Sequence, residues 1–312
     1  MPLEDHLLTE ARNPLSESLD RMAAAEIVAL MNAEDARAVK AVAAESAAIA
    51  RAVELAADRF RAGGRLIYLG AGTSGRLGVL DASECPPTFN TPREMVVGLI
   101  AGGPTALTRA VEGAEDSPEQ GAADLDALGV GPNDLVVGIA SSGRTPYVLG
   151  GVARARELGA TTVGIACNRP SLLGEAVDLE IALLVGPEIV AGSTRLKAGT
   201  ATKLVLNALS TGAMVLIGKT YGNRMVDLQP TNHKLRLRSR RMVRELTGLS
   251  DSEAATLLEL SEFRVKRALV AALGDVQPDR AQELLDQHDG RVADAVQAAG
   301  GGVIDRSRAD WP

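Results

Sequence analysis

Short uninterrupted apolar runs recur through the middle of the chain: Leu66–Leu69, Met95–Ile100, Leu135–Ala140, Thr161–Ile165 and Leu179–Leu184. Each is followed by Gly or Ser and then by a helical pattern. Continuous rather than alternating apolarity marks strands buried on both faces, the pattern of a parallel sheet wrapped by helices. The runs therefore predict an α/β fold with a doubly wound, five-stranded, flavodoxin-like parallel sheet, whose ligands bind beyond the strand carboxyl ends. Ahead of the sheet, Ser16–Ala62 is Ala-rich, with Ile27, Leu30, Met31, Val39, Val42, Ile49, Val53 and Leu55 at helical spacing. That segment predicts two N-terminal helices, ended by Gly63 and Gly64. Behind the sheet a long helix is expected from about Leu196 to Lys219. Ser250–Glu253 then reads as a capping box, and Gly274, Gly290 and Gly300 punctuate a small helical bundle of three or four helices. The expected organisation is a helical segment 1–62, a sheet domain 63–235, a bundle 236–300 and a frayed tail 301–312.

Composition narrows the function classes. Of 312 residues, 40 are acidic and 33 basic, a net charge of −7, which argues against a general nucleic-acid binder. Aromatics make up only 2% of the chain, so a base-stacking groove or an aromatic sugar platform is not expected. The opening residues Met1–Asp5 lack the basic and apolar regions of a secretory signal, so the expected location is cytoplasmic. The longest apolar stretch, Leu204–Gly218, is interrupted by Asn207, Ser210 and Thr211 and reads as a buried helix, with no membrane association expected. The lone Cys85 and Cys167 and the distant His6, His233 and His288 have no metal-ligand spacing, so no metal is expected.

Two loops carry candidate chemistry. Gly70-Ala71-Gly72-Thr73-Ser74-Gly75 follows a strand and opens a helix. Its glycines fit a dinucleotide fingerprint, but that reading needs an acid at the end of the second strand, where the chain has Leu99-Ile100-Ala101-Gly102-Gly103. The hydroxyls fit better: Thr73 and Ser74 at a helix N-terminus, with the free N–H groups there and at Gly75, suit a single phosphate. Ala140-Ser141-Ser142-Gly143-Arg144-Thr145 repeats the arrangement, and Ser-Gly-Arg occurs in both loops, at 74–76 and 142–144. Two such loops on neighbouring strands could close on one phosphomonoester; the alternative is that both merely cap helices. Glu84, Glu112, Glu115, Asp116 and Glu188 supply carboxylates, which composition alone would leave as solvated surface. The basic run Lys234–Arg241 reads as a solvated face or as a rim that attracts an anion.

These blocks carry a resemblance. Leu66–Gly78, Asp81–Thr88, Ala110–Asp116, Ala140–Tyr147 and Gly192–Thr200 are similar to the N-acetylmuramic acid 6-phosphate etherase family, from Thr9–Pro14 to about Lys234. The sheet domain resembles the sugar isomerase (SIS) domain, whose members bind phosphosugars. The resemblance implies a carbon–oxygen lyase without cofactor, acting on a phosphorylated amino sugar in cell-wall amino sugar recycling or catabolism. It also implies a homodimer with the site near the subunit interface. By it Glu84 is the proton donor and Glu115 the second catalytic carboxylate. Thr73, Ser74, Gly75, Ser141, Ser142, Gly143, Thr145, Ser193 and Thr194 are the implied substrate-binding residues, Ser141 standing where the family often has Ala. Glu188 matches an acid/base glutamate of an aminosugar-phosphate isomerase in the wider domain, and either contacts substrate or structures the Ser193-Thr194 loop. A sugar-phosphate-sensing regulator and a phosphosugar isomerase are the alternatives.

Overall fold

The computed structural model describes residues 7–227 and 233–301. The opening residues and His6, and the expected tail beyond Gly301, lie outside them. The chain forms two compact units: the described residues up to Cys85 with Pro92–Ala213, and Pro86–Thr91 with the described residues from Met214 on.

The first unit holds the expected sheet: β1 (Leu66–Gly70), β2 (Val96–Ile100), β3 (Leu135–Ile139), β4 (Thr161–Ala166) and β5 (Leu179–Ala182). All pairings are parallel and the order is β2-β1-β3-β4-β5. The central strands are buried on both faces, as continuous apolar runs require, while edge strands β2 and β5 are only partly covered. The strand order reverses between β1 and β3, where Gly70 stands opposite Ile139. A crevice at that switch point is where such sheets take ligands.

Helices α1 (Ala24–Ala44) and α2 (Ser46–Arg61) precede the sheet. On α2 Ile49 of the expected stripe is buried and Val53 and Leu55 are half-buried, with Ala52, Ala56 and Phe60 completing the inward face. On α1 the buried positions are Glu34, Ala38 and Ala41, whereas Val28 and Val39 are 57% and 61% exposed. Ile27, Leu30, Met31 and Val42 are half-buried, so of the larger apolar residues of α1 only Val28 and Val39 face outward. Helices α3 (Gly72–Phe89), α4 (Pro118–Leu128), α5 (Pro146–Glu157), α6 (Leu172–Ala176) and α7 (Lys197–Leu216) follow. Buried Tyr68 on β1 donates its hydroxyl to Asp81 on α3 at 2.9 Å, and Ser210 on α7 donates to the other Asp81 oxygen at 3.1 Å. This polar contact ties both helices to the central strand.

At the opposite end of the sheet, Arg65 chelates Asp134 through Nε at 3.0 Å and Nη2 at 2.7 Å. Burial pushes the Asp134 carboxyl up, but the hydrogen bonds from Arg65 and Gly131 outweigh it and hold it below the ordinary aspartate value. A lowered carboxyl contributes stability that is present above the ordinary aspartate range and is lost as pH falls through the lowered value. Asp134→Asn is therefore expected to cost about 1.5–3 kcal/mol at neutral pH. Urea midpoints at pH 7 and pH 3 should differ less for the variant than for the parent.

The second unit has a hairpin of β6 (Thr220–Tyr221) and β7 (Arg224–Met225), then α8 (His233–Thr247), α9 (Asp251–Leu260), α10 (Val265–Leu273), α11 (Pro278–Gln287) and α12 (Val292–Ala298). Val243, Leu258, Leu269, Leu284 and Val296 form its core. The capping box is present: Glu253 accepts the Ser250 amide at 2.8 Å and Ser250 Oγ accepts the Glu253 amide at 3.3 Å. The basic run falls in α8 and is met within the unit. Arg236 lies 5.0 Å over the Phe263 ring, Arg240 pairs with Asp251, and Arg241 with Glu245.

Candidate active site

The first loop leaves β1 and enters α3 with almost no room. A Cβ at Gly70 would lie 2.7 Å from the Gly75 amide nitrogen, and one at Gly75 would lie 2.6 Å from the Gly70 carbonyl oxygen. The chain can turn this tightly only with glycine at both positions. The result sets Thr73 and buried Ser74 in the first turn of α3, where backbone N–H groups lack helical partners.

The second loop leaves β3 at the same level, since Ile139 pairs with Gly70. Ser141 and Ser142 are half-buried, and Gly143 has φ +72° with its Cβ position 2.5 Å from Ser171 Cβ. Ser142 Oγ accepts the Arg144 amide at 3.3 Å, a local turn bond. Thr145 precedes α5 without using its side chain to cap it. The capping alternative thus accounts for Ser142 in part and for Thr145 not at all.

The third arm is the Val190–Leu196 turn ahead of α7. Ser193 and Thr194 are half-buried there, and Gly192 takes φ +76°. A Cβ at Gly199 would lie 3.6 Å from the Thr73 methyl, so the first turn of α7 packs on the first loop. The structure accordingly brings Thr73, Ser74, Gly75, Ser141, Ser142, Gly143, Thr145, Ser193 and Thr194 to the carboxyl end of the sheet.

Glu115 belongs to a 3₁₀ turn, Ala114–Asp116, that crosses the same end. Ala114 packs on an apolar cluster that includes Ala71 of the first loop and Ala140 of the second. Glu115 itself is exposed, held over this cluster by its neighbour. Glu84 is placed differently. It stands ten residues beyond Ser74 in α3, about 15 Å along the axis at 1.5 Å per residue. Its face is exposed and shared with Leu80, which is 44% exposed, while Asp81, Ala82 and Cys85 turn inward. Within one chain the helix thus carries Glu84 away from the Thr73-Ser74 loop. Burial pushes the Cys85 thiol up to about 12, and Cys167 likewise, so neither is a thiolate at neutral pH.

Glu188 is buried, and its carboxylate accepts the Ala198 amide at 2.9 Å and the Lys197 amide at 3.3 Å. Each oxygen accepts one amide of the first turn of α7, bonds that shape the backbone following the Ser193-Thr194 arm. Burial raises its carboxyl, and the two amides pull the other way. Asn13, Glu34, Lys197 and Asn168 are buried polar residues around these loops that sequence reasoning did not single out.

Residues 48–156 match the model of the glucokinase regulatory protein N-terminal SIS domain, and 116–212 match the SIS domain. N-acetylmuramic acid 6-phosphate etherase from Rhodopirellula baltica is 57% identical over 289 residues, covering 93% of this chain and 96% of that relative. The proteins of that name from Streptomyces avermitilis and Serratia proteamaculans are each 54% identical, covering 94% and 93% of this chain and 94% and 98% of theirs. Relatives this similar over nearly their whole length leave one conclusion: the chain belongs to the N-acetylmuramic acid 6-phosphate etherase family.

Proposed function

We propose that the protein cleaves the D-lactyl ether at C3 of N-acetylmuramic acid 6-phosphate, releasing N-acetylglucosamine 6-phosphate and D-lactate. The observation that carries the reading is the convergence of two hydroxyl-bearing loops on the β1/β3 switch point, in a chain of this family. Thr73, Ser74, Ser141, Ser142 and Thr145, on the loops that Gly75 and Gly143 shape, hold the phosphate, and Ser193 and Thr194 complete the rim.

An ether resists direct displacement, but the open-chain sugar has an aldehyde at C1 that makes the C2 hydrogen acidic. A carboxylate takes that proton and the electron pair moves into C2–C3. The C3–O bond breaks, and a carboxylic acid protonates the departing lactate oxygen. Water then adds at C3 and a proton returns to C2. Glu84 serves as proton donor and Glu115 as the partner carboxylate. Positioned proton transfer of this kind contributes about 10²–10⁴-fold.

We place this activity in the cytoplasm, in cell-wall amino sugar recycling or catabolism. The phosphosugar-binding domain spans 63–235, flanked by the helical segment 1–62 and the bundle 236–300. Among the described residues no helix is long and apolar enough to cross a membrane. The active form is a homodimer with the site beside its interface. Exposed Val28 and Val39 on α1, and Leu80 beside Glu84 on α3, support it. Glu84 then acts across the interface, which accounts for its distance from its own loop.

Incubation with N-acetylmuramic acid 6-phosphate and detection of free D-lactate tests the reading; no lactate at any enzyme concentration refutes it. Ser74→Ala and Ser142→Ala each remove a donor to a dianion, an interaction worth roughly 1.5–3 kcal/mol. Each should raise KM at least about tenfold with folding intact. Unchanged KM in both would move the phosphate elsewhere.

A further inference from the structure

The irregular segment ahead of the first helices is fastened at both ends by buried side-chain amides, Asn168 beside the second loop and Asn13 beside the chain that leads into the third arm. At one end, Asn168 Oδ1 accepts the Leu8 amide at 2.7 Å. That bond fixes which way the Asn168 amide faces. Its Nδ2 then donates to Thr9 Oγ1 at 3.2 Å, to the Ser141 carbonyl at 3.1 Å and to the Ser142 carbonyl at 3.3 Å. At the other end, Asn13 Oδ1 accepts the Leu15 amide at 3.0 Å, which orients that side chain too. Its Nδ2 donates to Glu34 Oε2 at 2.7 Å and to the Pro187 carbonyl at 3.1 Å. Glu34 also pairs with Lys197, at the first turn of α7, and with Arg37 at 3.1 Å. Burial raises the Glu34 carboxyl, but the hydrogen bonds from Lys197 and Asn13 prevail and leave it lowered.

Thr9, Asn13 and Asn168 are 2%, 5% and 3% exposed. Burial of polar groups in a segment without regular structure is costly unless each is bonded, and here each is. Between the two ends, Glu10 Oε2 lies 3.2 Å from the Cβ position of Gly192, in the turn that carries Ser193. One stretch of chain therefore reaches the second loop through Asn168, lies against the third arm at Gly192, and bonds the Pro187 carbonyl next to Glu188.

The bonds at Asn168 matter for an anion. A loop that binds phosphate must present N–H groups and turn its carbonyls away. The Ser141 carbonyl is taken up by the Cys167 amide at 2.8 Å and by Asn168, and the Ser142 carbonyl by Asn168. Loss of Asn168 leaves the Ser141 carbonyl with the Cys167 amide alone and takes from the Ser142 carbonyl the bond that turns it from the ligand.

We propose that Leu7–Asn13 is a tie that sets the spacing and peptide orientation of the two arms, with Asn13 and Asn168 as its positioning residues. The proposal rests on the reading of these arms as the phosphosugar site. Neither side chain touches the reacting atoms. A tie cut at either end is cut, so the two ends act as one unit and their effects do not multiply.

The test is a double-mutant cycle with Asn13→Ala, Asn168→Ala and the pair, in the full-length protein. Calorimetry with N-acetylglucosamine 6-phosphate gives Kd, lactate release gives kcat and KM, and thermal unfolding reports the fold. Each single variant should weaken Kd and raise KM by about tenfold, with a smaller change in kcat, and the pair should weaken Kd by about the same tenfold. Asn168→Asp keeps the shape without the donors and replaces Asn168→Ala if that variant does not fold. Unchanged Kd in folded variants, or a loss of about a hundredfold in the pair, overturns the tie. Because Kd is read without turnover, a wild type that binds the sugar phosphate but releases no lactate refutes the etherase reading and leaves the tie standing.

Discussion

Replacing Glu84 with Gln leaves the sugar phosphate bound and lowers lactate release by about 10²–10⁴-fold, the range that a positioned acid or base contributes. Gln keeps the volume and the hydrogen-bonding outline of Glu but cannot cycle a proton. Glu84 lies on an exposed face of α3, so the fold does not depend on it and the unfolding midpoint should not move. Asp81, three residues earlier, supplies the contrast. It is buried and bonded by Tyr68 and Ser210, and burial raises its carboxyl, so Asp81→Asn should read out in stability before it reads out in turnover. The distance of Glu84 from its own Ser74 adds a second arm. Glu84→Gln and Ser74→Ala subunits are each impaired alone, and if Glu84 acts across the interface a mixed dimer regains one intact site. Recovery on mixing supports the homodimer; no recovery from subunits that demonstrably exchange places Glu84 in its own chain's site. A Glu84→Gln protein that keeps more than about a tenth of its activity would remove the residue from the mechanism.

The sheet was legible because burial on both faces writes itself as continuous apolar runs: all five predicted strands are present within a residue or two of their runs. The position of the two hydroxyl-bearing loops was legible for the same reason, since a strand followed by small hydroxyl residues and a helix can only place them at a carboxyl end. The hairpin Thr220–Met225 was missed although its Gly222-Asn223 turn is a hairpin signal, because strands of two residues show no alternation. The helix α1 was legible as a helix with its face nearly right: Ile27, Leu30, Met31 and Val42 are half-buried beside Ala38 and Ala41, and only Val39 of the expected stripe is outside. Periodicity locates a stripe and cannot say what covers it. The buried amides escaped altogether. Asn168 and Leu8 are 160 residues apart, and Asn13 and Pro187 are 174 apart, so only the folded chain shows them to be partners. Glu188 was ambiguous for a related reason, as a glutamate that caps a helix and one that meets a substrate look alike in sequence, and only the folded chain sets the Lys197 and Ala198 amides on its oxygens.

The origin of the oxygen in the products decides the reaction path. Hydrolysis by attack at the lactyl carbon would put solvent oxygen into lactate and leave the sugar's C2 hydrogen untouched. Elimination breaks the C3–O bond, so lactate departs with the original ether oxygen. Water then supplies the new C3 hydroxyl, and C2 receives a proton that has passed through a carboxylate in contact with solvent. Glu115 and Glu84 are both exposed, so a proton held on either exchanges with water. In ¹⁸O-labelled water the label is expected in the sugar and not in lactate. In deuterium oxide one deuteron is expected at C2 of N-acetylglucosamine 6-phosphate. Mass spectrometry of both products reads both labels in one run. A Glu115→Gln protein adds a further distinction: it should slow deuterium entry and lactate release together if one carboxylate pair runs both halves of the reaction. Label in the lactate hydroxyl, with the C2 hydrogen retained, would replace the lyase with a simple hydrolase and leave the two glutamates without the roles assigned to them.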